Sequence, residues 1–242
     1  MIDFHTHILP GLDDGSQNIA MTEAMLLEEK RQGVNLVVAT PHFYANRMSI
    51  DGFLENRAEA LDKTECIRGT SDVSLPQVIA GAEVYYFEGM GRAKTISRLC
   101  VGKTRTILVE LPFTQWDEEM IRDIEALIER QNLNVVLAHI ERYFGFQKDR
   151  HVWNHMLTLP VTPQINGRSF LKSGGLFHSN NKRKFCMDFL KVHPRLIVGS
   201  DCHNVTSRSP NLRTAMAEIA ETLGEEVLIG IDAAVQEALG QA

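Results

Sequence analysis

Six short apolar runs in this chain each lead into a side chain of a type that binds metal ions. His5 and His7 close Ile2-Asp3-Phe4-His5-Thr6-His7, and His42 closes Leu36-Val37-Val38-Ala39-Thr40-Pro41-His42. Glu83 ends Val78-Ile79-Ala80-Gly81-Ala82-Glu83, Glu110 follows Ile107-Leu108-Val109, and His139 follows Val135-Val136-Leu137-Ala138. The run Leu196-Ile197-Val198-Gly199-Ser200 delivers Asp201 and, past Cys202, His203. With Asp14 in the loop after His7, these make nine candidate ligands, too many for one ion and suited to two or three. Mixed imidazole and carboxylate ligation favours Mn, Fe or Zn over Ca or Cu. Five neutral histidines and four carboxylates carry −4 against the +6 of three divalent ions, and the positive remainder suits a phosphate dianion. Water whose pKa such a centre lowers towards ~7 would be the nucleophile, with no covalent enzyme intermediate. Arg142 lies three residues after His139, and Arg208 five after His203. Their planar guanidinium groups can clamp phosphoryl oxygens in pairs.

Runs of this length, bounded by polar residues and separated by helical stretches, read as parallel strands buried on both faces. In a βα barrel the C-terminal strand ends share one rim, where active sites sit. On a strand, His5 and His7 fall on one face because side chains alternate with period two. A further strand is expected at Val161 to Ile165, giving seven. Helices are expected at Asn18 to Gln32, Met48 to Ile67, Asp117 to Gln131, Asn181 to Val192, Leu212 to Leu223 and Ala233 to Leu239. Gly33 would close the first, and Asp117 would cap the third. No linker rich in Pro, Gly or Ser divides residues 1–242, so the expectation is one α/β domain, a distorted seven-stranded (β/α)7 barrel.

Composition narrows the partners. At 242 residues and 44% hydrophobic content, the chain can bury a sizeable core. A net charge of −6 argues against nucleic acid, whose phosphates are met by Lys and Arg. No run approaches the ~18 apolar residues that span a bilayer, and no basic stretch followed by an apolar one marks a leader. Cys66, Cys100, Cys186 and Cys202 show no CxxC spacing, which fits reduced thiols and a cytoplasmic location. No interface stripe stands out, so a monomer is expected. His151, His155, His178 and His193 receive no role. Tyr85-Tyr86-Phe87 and Phe144-Gly145-Phe146 read as packing residues rather than a substrate wall.

The opening Met1-Ile2-Asp3-Phe4-His5-Thr6-His7-Ile8-Leu9-Pro10-Gly11, followed by Asp13-Asp14-Gly15-Ser16, resembles that of the PHP (polymerase and histidinol phosphatase) superfamily. Ala39-Thr40-Pro41-His42, Gly81-Ala82-Glu83-Val84-Tyr85-Tyr86, Leu108-Val109-Glu110-Leu111-Pro112-Phe113, Ala138-His139-Ile140-Glu141-Arg142-Tyr143 and Ser200-Asp201-Cys202-His203-Asn204 narrow the likeness. Together they are similar to the bacterial protein-tyrosine phosphatases of capsule and exopolysaccharide operons, the CpsB/YwqE type. That resemblance implies a distorted βα barrel with a trinuclear, manganese-dependent site. It implies His5, His7, Asp14, His42, Glu83, Glu110, His139, Asp201 and His203 as ligands, and Arg142 and Arg208 as phosphate-binding residues. It also implies a substrate, the phosphotyrosine-rich C-terminal tail of a bacterial tyrosine kinase that controls polysaccharide export.

The chain departs from that pattern at Arg168, at Cys202 and in the unusually polar stretch Leu176 to Arg183. Arg168, in Gln164-Ile165-Asn166-Gly167-Arg168-Ser169, stands where Gly is usual, and Cys202 stands where a small Ala is expected. Cys202 and Arg208 also match the Cys-x5-Arg spacing of cysteine-dependent tyrosine phosphatases, although the segment between them lacks glycine. The same ligand set would serve a histidinol-phosphate or other small phosphomonoester phosphatase, or would stabilise the fold of a non-catalytic kinase-binding regulator.

Overall fold

The computed structural model describes residues 1–172 and 178–241, so the start of the polar stretch Leu176 to Arg183 lies outside the described residues. Its elements alternate: β1 (Ile2–Thr6), α1 (Ile19–Arg31), β2 (Leu36–Ala39), β3 (His42–Phe43), α2 (Ile50–Thr70), β4 (Gln77–Ala80) and β5 (Glu83–Tyr85). Then follow β6 (Thr106–Glu110), α3 (Glu118–Glu129), β7 (Asn134–Leu137), α4 (Arg150–Thr158) and β8 (Thr162–Asn166). The last are α5 (His178–Val192), β9 (Ile197–Gly199), α6 (Leu212–Leu223) and α7 (Val227–Ala238).

Every strand pair is parallel, in the orders β1-β2-β4 and β3-β5-β6-β7-β8-β9. Two of the seven expected strands are each split. Pro41, which has no N–H, separates β2 from β3, and Gly81-Ala82 separates β4 from β5. Backbone bonds carry the sheet across both gaps, from Gly81 N to Ala39 O at 2.7 Å and from Glu83 N to Pro41 O at 3.0 Å. The sheet curls round until Asp201 N donates to His5 O (2.8 Å) and His7 N to Cys202 O (2.9 Å). This joins the end of β9 to β1.

The interior is built by alternation. Phe4, Val38, Leu108, Val136 and Ile197 fill it together with Val101 and with Ala234, Val235 and Ala238 of α7. Val37, Ile107, Val109, Val135 and Val198 lie on the other face, in the cluster shared with the helices. Two residues along the interior column, Leu108 leads to Glu110 and Ile197 to Gly199. On β1 the parity breaks, because Asp3 to Thr6 span the same register as Val37 to Ala39. That extra residue is a bulge, and it turns His5 and His7 inward above Phe4.

The helices follow the sequence closely at their caps. Asn18 accepts from Met21 N, and Asp117 accepts from Glu119 N and Met120 N. Helix α4 was not expected. Its nine residues bury only Val152, Trp153 and Met156, a pattern too short to stand out. Helix α7 begins at Val227, earlier than Ala233. Between β5 and β6 the chain makes only two short 3-10 turns, Met90–Arg92 and Ile96–Leu99, which is where the barrel is irregular.

Candidate metal centre

All nine candidate ligands converge at the C-terminal ends of the strands. His5 Nε2, His7 Nε2 and Glu83 Oε2 form a triangle with sides of 3.2, 3.3 and 3.3 Å. Two donors each bonded to one ion at ~2.1 Å stand roughly 3.0–3.4 Å apart, so the triangle has the size of one face of a coordination shell. A second set joins His42, Glu83 and Glu110, with His42 Nδ1 3.0 Å from Glu83 Oε2 and 3.7 Å from Glu110 Oε2. A third joins His7, Asp14, His42 and His203, where Asp14 Oδ1 lies 3.5 Å from His42 Nε2 and 3.3 Å from His203 Nε2. His139 Nε2 is 2.9 Å from Glu83 Oε1 and 3.5 Å from Glu110 Oε1. Asp201 Oδ1 is 3.4 Å from His7 Nε2. His5, His7, Glu83 and His139 are fully buried, whereas the Asp14 side chain is 65% exposed, so the Asp14 loop is the open side.

Residues behind the candidate ligands fix which ring nitrogen faces the centre. His5 Nδ1 lies 3.0 Å from Gln164 Oε1, an oxygen that also accepts from His139 N at 2.6 Å. His7 Nδ1 donates to Asp13 Oδ2 at 2.7 Å, and His203 Nδ1 to the Asp201 carbonyl at 3.0 Å. With Nδ1 protonated, each ring presents the Nε2 lone pair. His5 and His7 then place two acceptor nitrogens 3.2 Å apart with no proton between them, and a cation satisfies both. His203 Nε2 and His42 Nδ1 are likewise buried without a hydrogen-bond partner among the described residues. The donor set therefore fits divalent ions.

Two glycines make this closeness possible. A Cβ on Gly15 would lie 2.2 Å from the His7 carbonyl oxygen, and one on Gly199 would lie 2.8 Å from His5 Cβ. The same rim holds backbone strain. His139 (φ 31°) and Asp201 (φ 52°) are both left-handed, a conformation that costs non-glycine residues about 1–3 kcal/mol and clusters at functional sites.

Burial alone would lower the histidine pKa values here and raise those of the carboxylates. Opposite charge outweighs it at most positions. Asp13, Asp201 and Glu83 hold His7 well above its ordinary value, and Glu110 and Glu83 push His139 up to about 9. His5, His139 and His42 keep Glu83 well below the usual carboxylate range, and His5 and His7 do the same for Asp201. His203 differs, because burial, His7 and Arg208 together bring it down to about 4. The centre attracts positive charge, so protons and metal ions compete for it.

Both arginines border it. Arg208 Nη2 and Asn166 Nδ2 each donate to Asp201 Oδ2 at 2.8 Å. The Arg142 guanidinium lies over the Phe113 ring, 4.6 Å from its centroid, and 3.9 Å from Asp201 Oδ2. Asp13, Gln164, Asn166 and Phe113 carry roles that the ligand pattern did not assign. Gln164 and Asn166 did leave a trace, two amides at period-two spacing in a strand. The departure at Cys202 is also explained. Its thiol is buried and donates to Glu29 Oε1 at 3.4 Å, and burial with Glu29 and Asp3 pushes its pKa well up. A thiol so placed is no nucleophile. His151 and His155 face Glu118, away from the centre.

A family model for capsular polysaccharide synthesis proteins of the CpsB/CapC type matches residues 1–237. The chain is 27% identical over 230 residues to tyrosine-protein phosphatase CpsB of Streptococcus agalactiae, covering 93% of this chain and 92% of that one. It is 27% identical over 235 residues to tyrosine-protein phosphatase YwqE of Bacillus subtilis, covering 94% and 87%. A crystal structure from work on Bacillus subtilis YwqE and Streptococcus pneumoniae CpsB, described as metal-dependent tyrosine phosphatases, shares the fold. It aligns over 100% of this chain and 95% of its own, with a TM-score of 0.84 at 24% identity. With nearly its whole length matched, the chain belongs to the CpsB/CapC family of capsular polysaccharide synthesis proteins.

Proposed function

We propose that this protein is a metal-dependent protein-tyrosine phosphatase acting on the phosphorylated C-terminal tail of a bacterial tyrosine kinase that regulates capsular or exopolysaccharide synthesis. The tyrosine-phosphatase relatives at 27% identity support the activity. The observation that carries it is the His5–His7–Glu83 triangle, whose three donors are spaced to share one divalent ion.

The nine ligands would hold two or three divalent ions, Mn²⁺ foremost. When bound, such ions supply Lewis acidity and a water deprotonated near neutral pH. The remaining work belongs to this chain. Gln164, Asp13 and the Asp201 carbonyl keep three imidazoles in one tautomer. Arg142 and Arg208 bind the phosphoryl oxygens and offset their charge, and their side chains, 38% exposed, can reach a ligand from solution. Tyrosinate, with a pKa near ~10, leaves without a side-chain acid.

The test is phosphate release from a phosphotyrosyl peptide by chelated enzyme and by enzyme reloaded with Mn²⁺. Loss on chelation and recovery with Mn²⁺ is expected, and Asp201→Ala should lose both bound metal and turnover. Robust activity that survives chelation overturns the reading. Turnover of histidinol phosphate in preference to the peptide would make the protein a small-phosphomonoester phosphatase.

A further inference from the structure

We propose that the cavity beside the metal centre contains an anion subsite, built on Arg168 and Lys182, that holds a second acidic group of the same phosphopeptide. The proposal rests on the phosphatase reading and says what that site selects.

The cavity encloses about 810 Å³ and begins at Ser200 and Asp201, both 5% exposed, on the rim of the centre. Its charge runs against that of the chain. The protein has 25 Lys and Arg against 31 Asp and Glu, yet five basic residues and two acidic ones line this cavity. Asp201 is committed and Glu141 partly so, since Glu141 Oε2 has no hydrogen-bond partner among the described residues and feels the Lys182 charge. Asp201 takes Arg208 and Asn166, and Glu141 Oε1 takes the Ser169 hydroxyl at 2.7 Å. Among the bases, Arg142 and Arg208 face the scissile phosphate, and Lys172 is paired with Glu218 (3.3 Å) and Glu221 (2.8 Å).

Arg168 and Lys182 remain. Both are exposed, and neither has a carboxylate within 4.0 Å among the described residues. Arg168 is not on a loose loop. It sits in the short turn Gly167–Phe170 directly after β8, between Asn166, which touches Asp201, and the fully buried Phe170. Its backbone is thereby fixed to the wall of the metal centre. A peptide with its phosphotyrosine on Arg142 and Arg208 would lay neighbouring residues along this wall. An acidic side chain or a second phosphate there meets two cations that form no ion pair within 4.0 Å among the described residues, with Glu141 the carboxylate whose charge Lys182 feels.

Three phosphotyrosyl peptides test this at low salt: one with neutral flanks, one with Asp and Glu flanks, and one with a second phosphotyrosine. Two exposed pairs of ordinary strength predict a kcat/KM preference for the charged peptides of about fivefold to tenfold, carried in KM and fading with salt. In Arg168→Gly/Lys182→Ala the preference should fall to about twofold or less, and in Arg168→Glu/Lys182→Glu it should invert. Stronger preference for the second phosphate than for carboxylates identifies phosphate as the occupant, and equal preference identifies any acidic side chain. A wild-type enzyme indifferent to flanking charge, or a preference that survives both variants, overturns the subsite. Hydrolysis of p-nitrophenyl phosphate separates the two readings. Activity on it without charge preference removes only the subsite, and no hydrolysis of any substrate removes the phosphatase reading. Fluorescence anisotropy of the same peptides carrying a non-hydrolysable phosphonate measures the affinity ratio without turnover, so the subsite is judged in either case.

Discussion

Asp13 and Asp14 are neighbours in sequence, and the structure gives them different work that metal binding can separate. Asp13→Ala removes the acceptor for His7 Nδ1 at 2.7 Å, for His42 N at 3.0 Å and for Gly15 N at 2.9 Å. The bond to His7 is charge-assisted, worth about 1.5–3 kcal/mol. Without it the ring is free to move its proton to Nε2, the nitrogen that faces the centre. Loss of a carboxylate behind a ligating histidine weakens metal binding about 10–100-fold, or about 1.4–2.8 kcal/mol. Asp13→Asn should fall at the low end of that range. Its amide oxygen can keep His7 while the NH₂ turns towards Gly15, and only the charge is lost. Asp14→Ala should act otherwise, because Asp14 Oδ1 stands within 3.5 Å of His42 and His203 and supports neither ring from behind. Isothermal calorimetry of Mn²⁺ binding to stripped protein distinguishes them. Asp13→Ala should keep the stoichiometry with weaker affinity, and Asp14→Ala should lose one ion. If Asp13→Ala, folded by circular dichroism, bound Mn²⁺ as tightly as wild type, the tautomer argument would be wrong.

Other parts of the centre respond to simpler perturbations. Cys202→Ala should leave phosphate release near wild type, because the buried thiol takes no step; loss of turnover with full metal content would restore it as a nucleophile. Gln164→Leu strips the acceptor from His139 N and His5 Nδ1, two buried donors at about 1–3 kcal/mol each, so the urea midpoint of the metal-free protein should drop. An unchanged midpoint would show that neither bond matters. Glu29 is buried, and burial together with the Asp3 carboxylate raises its pKa well above the ordinary 4.5. Folding therefore takes up a proton above pH 4.5, and stability from this group falls as pH rises towards the folded value. Glu29→Gln should flatten the melting profile between about pH 5 and 8 and raise the midpoint at pH 8. A lower midpoint at pH 8 with the wild-type slope retained would contradict this.

What the sequence revealed, and what it hid, divides along contact distance. The candidate donors close apolar runs or, for Asp14, the loop after one, so they could be named locally, and the cap residue Asp117 was readable for the same reason. Strand β8 was readable too, as Val161 to Ile165, but the one-residue offset left out Asn166, whose amide holds Asp201. Nothing local marks Gln164 as the partner of His5, 159 positions away, or Glu29 as the partner of Cys202, 173 positions away. Those pairs exist only because the sheet closes on itself. The bulge in β1 is hidden for a related reason, since an extra residue is defined by the register of the neighbouring strand.

That division also explains why alternation on β1 gave a correct answer by an incomplete route. Period two does put His5 and His7 on one face, but by the same rule that face is not the one Phe4 occupies. Phe4 lies in the interior cluster, so an unbroken strand would have turned both histidines away from Glu83. The bulge reverses the parity once, and Gly199 then leaves room for His5 Cβ against β9. Core packing below and the candidate ligands above thus make opposite demands on one short stretch, Phe4 to His7, and one extra residue meets both. Deleting Thr6, which removes the extra residue but keeps Phe4, His5 and His7, should consequently cost Mn²⁺ affinity while leaving the interior packing of Phe4 available. A deletion variant that still bound Mn²⁺ with wild-type affinity would show that the bulge does not aim these ligands.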